Sequence, residues 1–170
     1  MRNNKISKAM FLLATSDIEK AKNFYVNVME QKIVAELPGY NVAFETFGLQ
    51  YDYVGYIEGS PIFAKKPTGA KIEMKPKSNN CQLAFEVANL DYWVAKIKVA
   101  EGIELLHDVA EYDWGQRGIH FYDHDGHIVE IVEELASVAK RYLAQGMSVE
   151  EVTAHFGYSL EFVKQLVEGE

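Results

Sequence analysis

The chain has 170 residues, 48% of them apolar and 25% charged, enough to bury one good core but too few for two large independent domains. Its 25 acidic and 17 basic residues leave a formal charge of −8, which argues against nonspecific binding to nucleic acid. The single cysteine, Cys81, excludes an internal disulfide, and the lack of a charged-then-apolar leader or a long apolar run predicts a soluble, cytoplasmic protein with no membrane partner.

In chain order, "MFLLAT" opens as a strand whose alternation sends Phe11 and Leu13 to one face and Met10, Leu12 and Ala14 to the other. A helix follows, with Ser16 as N-cap and Glu19 closing a capping box, and with Ile18, Ala21, Tyr25 and Val28 at helical spacing. The runs "KIVAEL", "NVAFETF" and "LQYDYVGYI" then read as strands. Residues 61–79 form a lysine- and proline-rich linker, with Lys65, Lys66, Lys71, Lys75 and Lys77 against Glu73 alone. It is either a solvated connection or a lid over an anionic ligand.

The same pattern then returns. Shifted by 72 residues, the segment beginning at Met10 lies over the one beginning at Gln82, again a strand and then a helix, here capped by Asn89 and burying Leu90, Trp93, Val94 and Ile97. In "QLAFEV", Leu83, Phe85 and Val87 meet that helix while Gln82, Ala84 and Glu86 face away. "IELLHDV", "RGIHFYD" and "HIVEIVEE" complete the second half. The fold class is therefore α+β, two tandem βαβββ modules (residues 5–60 and 80–133) forming a cupped mixed sheet. A helical extension, residues 134–170, follows them.

The last hairpin carries the chemistry. A three-residue loop, His124–Asp125–Gly126, suits a type I turn closed by a left-handed glycine, and sets His120 opposite Glu130. Gln82, Glu86, His120, Tyr122 and Glu130 then share the helix-free face, the place for a small molecule or a metal. Glu130 either points to solvent or serves that site, and Glu86 is solvated, paired with Arg117 or a linker lysine, or part of the site. The accessible His124, Asp125 and His127 follow no compact metal motif and are explained by the turn. Cys81 points to the opposite face from Gln82, which argues against a catalytic thiol.

The extension reads as three helices: "LASVAKRYLAQ" ending at Gly146, "SVEEVTAHF" opening on a Ser148–Glu151 capping box, and "SLEFVKQLVEG" opening on Ser159. Two short helices about a glycine look like a helix-turn-helix, but six acids against three bases speak against a DNA reader. A cap over a sheet edge, or an aid to a homodimer, is expected instead.

The tandem modules, "TSDIEKAKNFYVNVM" and above all "GQRGIHFYDHDGHIVEI" resemble the vicinal oxygen chelate superfamily, which includes glyoxalases, bleomycin- and fosfomycin-resistance proteins and extradiol dioxygenases. The resemblance covers about residues 5–133, a glyoxalase-like domain over residues 1–133, and leaves the tail outside it. It implies a small-molecule cup and one divalent ion (Zn, Mn, Ni or Fe), held by residues on the first and last strands of each module. Glu130 falls on the last-strand ligand position, Gln82 on the first-strand position of the second module, and Gln50, with Glu73 behind it, is the choice for the first module's last strand. His120 is a substitute ligand, an acid or base, or a hydrogen-bond donor. Met10 departs from the pattern, since a thioether binds hard ions poorly. Two functions follow. One is a metal-dependent lyase or dioxygenase-like enzyme in which His120 or Glu130 moves a proton. The other is a metal-free binding protein of the bleomycin-resistance type, with Met10, Tyr51, Tyr53, Glu86, Trp114 and Tyr122 at the ligand.

Overall fold

The computed structural model describes residues 8–59 and 73–168. Most of the linker lies outside these residues, including Lys65, Lys66 and Lys71, and with it the lid reading. The chain divides into two compact units: Met1–Ser78 with Asp123–His127, and Asn79–Tyr122 with Ile128–Glu170.

In the first unit, β1 (Phe11–Thr15) leads into α1 (Ile18–Asn23), then β2 (Ala35–Leu37), β3 (Asn41–Ala43) and β4 (Phe47–Tyr51), in the sheet order β1-β4-β3-β2. Strands β1 and β4 are parallel, with Leu12 opposite Gly48 and Ala14 opposite Gln50. The helix departs from expectation at both ends. Asp17, not Ser16, is the N-cap, accepting a hydrogen bond from Lys20 N, because Ser16 is engaged elsewhere. Beyond Asn23 the helix widens into a π-helical turn, Phe24–Val28, in which Met29 N reaches back to Phe24 O. The extra residue per turn rotates the chain, so Phe24 and Met29 are buried while Val28 is only half-buried. Tyr25, Phe44 and Phe47 form the aromatic centre beneath, with Tyr25 and Phe47 centroids 5.0 Å apart and edge-on.

The alternating aromatics of "LQYDYVGYI" do not continue as a strand. Asp52 takes a positive φ of 47°, its carboxylate accepts from Gly55 N at 3.2 Å, and α2 (Tyr53–Gly59) begins. An Asx-type bond to the backbone offers the chain a turn in place of the ladder.

In the second unit, β5 (Gln82–Val87) is followed by α3 (Leu90–Val99), β6 (Glu104–Leu105), β7 (Ala110–Glu111), β8 (Arg117–Tyr122) and β9 (Ile128–Glu133), in the order β5-β9-β8-β6 with β7 also on β8. Asn89 caps α3 as the sequence predicts, accepting from Tyr92 N, and Leu90, Val94 and Ile97 are buried, as are Ile119, Phe121, Val129 and Ile131 of the strands. The predicted hairpin register holds, with His120 opposite Glu130 and Gly126 at φ 79°. The expected strand "IELLHDV" is instead cut short at β6, and pairing with β8 resumes only past its end, at β7. Leu105 pairs Phe121 and Ala110 pairs Gly118, so residues 106–109 stand opposite only Ile119 and His120, a bulge on this edge.

Three helices close the second unit: α4 (Leu135–Ala144), α5 (Val149–Phe156) and α6 (Leu160–Glu168). The Ser148–Glu151 capping box is present, Gly157 ends α5 at φ 72°, and Ser159 Oγ accepts from Phe162 N. The helices share their own core of Leu135, Val138, Ala139, Val152, Phe156 and Val163.

Candidate functional site

The second unit assembles its polar side chains around Glu130, on the sheet face opposite α3. Parallel pairing of β5 with β9 sets Ala84 beside Glu130, and the small residue leaves room for Gln82, two positions back on the same face, to reach across. Gln82 Nε2 donates to Glu130 Oε2 at 2.8 Å, and the Tyr112 hydroxyl donates to Oε1 at 2.7 Å. Burial, and then the carboxylate beside it, push the Tyr112 phenol far above its ordinary pKa, so it stays a donor. Each oxygen of the carboxylate thus holds a donor.

His120, opposite Glu130, brings Nε2 to 3.6 Å from Oε1, beyond a hydrogen bond. Its other nitrogen, Nδ1, lies 2.8 Å from His107 Nε2, and His107 Nδ1 lies 2.6 Å from the Asp108 carbonyl oxygen. A carbonyl only accepts, so His107 Nδ1 donates, and in that tautomer its Nε2 accepts from His120 Nδ1. This leaves the His120 Nε2 lone pair bare on the open face beside a carboxylate oxygen. Burial depresses the His120 pKa, Glu130 opposes the shift, and His107 adds to it, so the imidazole is neutral at ordinary pH. Two adjacent acceptors facing outward suit a hydroxyl or amine of a ligand, and His120 is placed to receive its proton.

Tyr112 and His107 were not among the residues expected from sequence. Tyr112 N donates to Gln116 O at 2.8 Å, which extends the β7–β8 pairing by a residue and places Tyr112 on the face of His120. His107 lies in the bulge, where alternation gives no face. Trp114 stacks on Tyr112, with centroids 4.7 Å apart, and is 42% exposed. Tyr122 is buried and donates to Asn79 Oδ1 at 2.7 Å, whereas Glu86 is exposed. The guanidinium of Arg117 is bound to Glu133 instead, with Nε 2.9 Å from Oε1. Cys81 is exposed.

In the first unit the positions equivalent to Gln82 and Glu130 are Met10 and Gly48, since the 72-residue shift carries Gln82 and Ala84 onto Met10 and Leu12, and Leu12 pairs Gly48 as Ala84 pairs Glu130. Met10 lies over Gly48 as Gln82 lies over Glu130: a Cβ on Gly48 would meet Leu12 Cδ2 at 3.1 Å and Met10 Sδ at 3.4 Å. Gln50 is two residues further along β4, buried, with Nε2 donating to Tyr51 O at 2.9 Å and Oε1 accepting from Asn41 Nδ2 at 3.2 Å. Glu73 pairs with Lys75 at 2.9 Å. Tyr51 is exposed and edge-on to Tyr40, and Tyr53 is half-buried in α2.

The last turn is less accessible than the sequence suggests: Asp125 is buried, and His124 and His127 are half-buried. Asp123 and Asp125 are buried in the first unit. Asp125 Oδ1 accepts from Ser16 N and Ser16 Oγ, and Oδ2 accepts from Thr15 Oγ1 at 2.6 Å. Asp123 Oδ2 accepts from the Tyr25 hydroxyl at 2.8 Å and lies 3.0 Å from His127 Nδ1. Burial opposes both charges, yet the pairing prevails, lowering the Asp123 pKa and raising that of His127.

The divalent ion that the resemblance implies does not fit these residues. The first module offers a thioether and a glycine at the relevant positions, and the Gln50 amide is spent on its own neighbours. Among the described residues no three His, Cys, Asp or Glu side chains converge as a metal set.

A family model for the glyoxalase-like domain matches residues 8–136. The chain belongs to that family, within the vicinal oxygen chelate superfamily. A search of curated proteins finds no match. Among solved structures, a protein of unknown function from Agrobacterium tumefaciens str. C58 is 29% identical over 79% of this chain and 97% of its own, with a TM-score of 0.58. The lactoylglutathione lyase of Agrobacterium tumefaciens is 19% identical, covering 78% and 95%, with a TM-score of 0.55. The fosfomycin resistance protein FosX of Listeria monocytogenes is 18% identical, covering 76% and 94%, with a TM-score of 0.53. The latter two share the fold. No helix among the described residues is long and apolar enough to cross a membrane.

Proposed function

We propose that this chain binds a small organic molecule on the helix-free face of its second module, and does so without the divalent ion of metal-dependent relatives. The observation that carries the reading is Met10 lying over Gly48 where the second module has Gln82 against Glu130. Half of the expected donor set is thereby apolar. His120 Nε2 and Glu130 Oε1 receive a hydroxyl or amine of the ligand, and Trp114 supplies an exposed ring against which a planar or apolar group packs. If the bound molecule reacts, His120 takes the proton and Glu130 balances the charge of the imidazolium.

The test is elemental analysis of protein purified without a metal-affinity tag, paired with a thermal-shift screen of small hydroxylated and amino compounds on wild type and Glu130→Gln. The expected result is metal-poor wild-type protein with hits that weaken in the variant. One ion per chain, lost in Glu130→Gln, would overturn the reading in favour of a metal-dependent enzyme.

A further inference from the structure

Helices α4–α6 lie almost wholly beyond the family match, which ends at residue 136, so the family's chemistry assigns them no task. Their own core accounts for most of their apolar side chains, the Tyr142 ring included, but Arg141 and the Tyr142 hydroxyl reach beyond it. Arg141 Nη2 donates to Gly115 O at 2.8 Å and pairs with Glu133 Oε2 at 3.1 Å. The Tyr142 hydroxyl lies so tightly against Gly115 that any Cβ there would run into it, and the same hydroxyl is 3.1 Å from His155 Nε2 of α5. Gly115 adopts φ +89°, a conformation that side chains rarely take, so both backbone and space demand glycine.

Gly115 sits at the tip of the β7–β8 turn, whose other members belong to the site. Gly115 N donates to Tyr112 O at 2.7 Å; Gln116, buried, takes the Trp114 Nε1 hydrogen at 2.6 Å and gives its own amide hydrogen to Glu133 O at 2.6 Å. Tyr112 donates to Glu130, and Trp114 stacks on Tyr112. An unbroken set of contacts therefore runs from α4 through the turn to the carboxylate.

We propose that the C-terminal extension is a positioning device for the binding face, in which Arg141 and Tyr142 clamp the 112–116 turn so that Tyr112 meets Glu130 and Trp114 is held over Tyr112. Arg141 and Tyr142 are positioning residues, since they act through the turn. The assignment of the face to ligand binding rests on the function proposed above; the clamp itself does not. A single nitrogen, Nη2, reaches both the Gly115 carbonyl and the Glu133 carboxylate, one through each of its two hydrogens. Release of the turn leaves Glu130 with one donor fewer and leaves Trp114 without its fixed partner.

The test uses the full chain carrying Trp93→Phe, so that Trp114 is the sole indole, and needs neither ligand nor metal. In Arg141→Ala, with circular dichroism showing an intact fold, Trp114 emission shifts to the red and acrylamide quenching rises about two-fold. In the same sample the carbon NMR signal of the Tyr112 ring carbon bearing the hydroxyl, assigned through Tyr112→Phe, moves. Methyl signals of Val129 and Ile131 stay in place, which a general loosening of the unit would not allow. If Arg141→Ala does not fold, Arg141→Lys decides: it keeps a positive charge, but its shorter side chain cannot carry a donor to where Nη2 meets both Gly115 O and Glu133, and the same two signals change. A folded variant whose Trp114 and Tyr112 signals match wild type overturns the clamp, whatever the metal content or ligand screen shows.

Discussion

A carboxylate on an apolar strand is costly to bury unless donors reach it, and Glu130 has one on each oxygen. Replacing Tyr112 with phenylalanine removes a hydrogen bond to a charged acceptor and is expected to cost about 1–2 kcal/mol, read as a lower midpoint in urea unfolding with an unchanged slope. The buried Asp123–His127 pair gives a pH signature of its own. The raised His127 pKa adds stability that is complete below its unfolded value near 6.5 and is lost as pH rises through the folded value. The lowered Asp123 pKa adds stability present above 3.8, lost as pH falls through its folded value. The pair is therefore strongest between these limits, and Asp123→Asn is expected to cost about 2–4 kcal/mol near pH 5.5 and clearly less near pH 9, measured by denaturant unfolding at both. At this scale the sequence speaks unevenly. Opposition of His120 and Glu130 is readable, because turn length and a glycine fix a hairpin's register. The donors Tyr112 and His107 are not, because a bulge breaks the alternation that would have placed them.

Elements obey local rules until a distant side chain intervenes. Asn89 and Ser148 cap their helices as the sequence alone predicts. Ser16 does not, although Glu19 makes a capping box with it on paper, because Asp125 takes both its backbone and its hydroxyl hydrogens and hands the cap to Asp17. In the same way "LQYDYVGYI" has strand-forming aromatics, and Asp52 ends the strand through a bond that propensity does not see. The bundle core offers a test at this scale. Phe156 is buried between α5 and its partners, and Phe156→Ala is expected to cost about 3–5 kcal/mol, seen as a large fall in melting temperature. Gly118 tests the sheet. A Cβ there would meet Ile131 O at 3.0 Å and the Tyr112 hydroxyl at 3.2 Å, so Gly118→Ala is expected to weaken the β8–β9 ladder and displace Tyr112, visible as faster amide exchange along β9.

At the scale of the whole molecule, the internal repeat already gives the architecture, and sliding the chain on itself also identifies Met10 as the odd member of the ligand pattern. Gly48 emerges only with the sheet register, since the first module's last strand carries no residue that marks it. The role of the tail is invisible in sequence for a further reason: Arg141 and Tyr142 look like any polar residues of an amphipathic helix until Gly115 is seen beneath them. One feature of the first unit reaches beyond chemistry. Its strand end and its central tyrosine are satisfied by Asp125 and Asp123, two members of the segment Asp123–His127 that the chain supplies only after the second module's strands have begun. A ribosome therefore delivers roughly three-quarters of the polypeptide before Tyr25 can meet its Asp123 acceptor, and the earliest-made unit completes its hydrogen bonds only then.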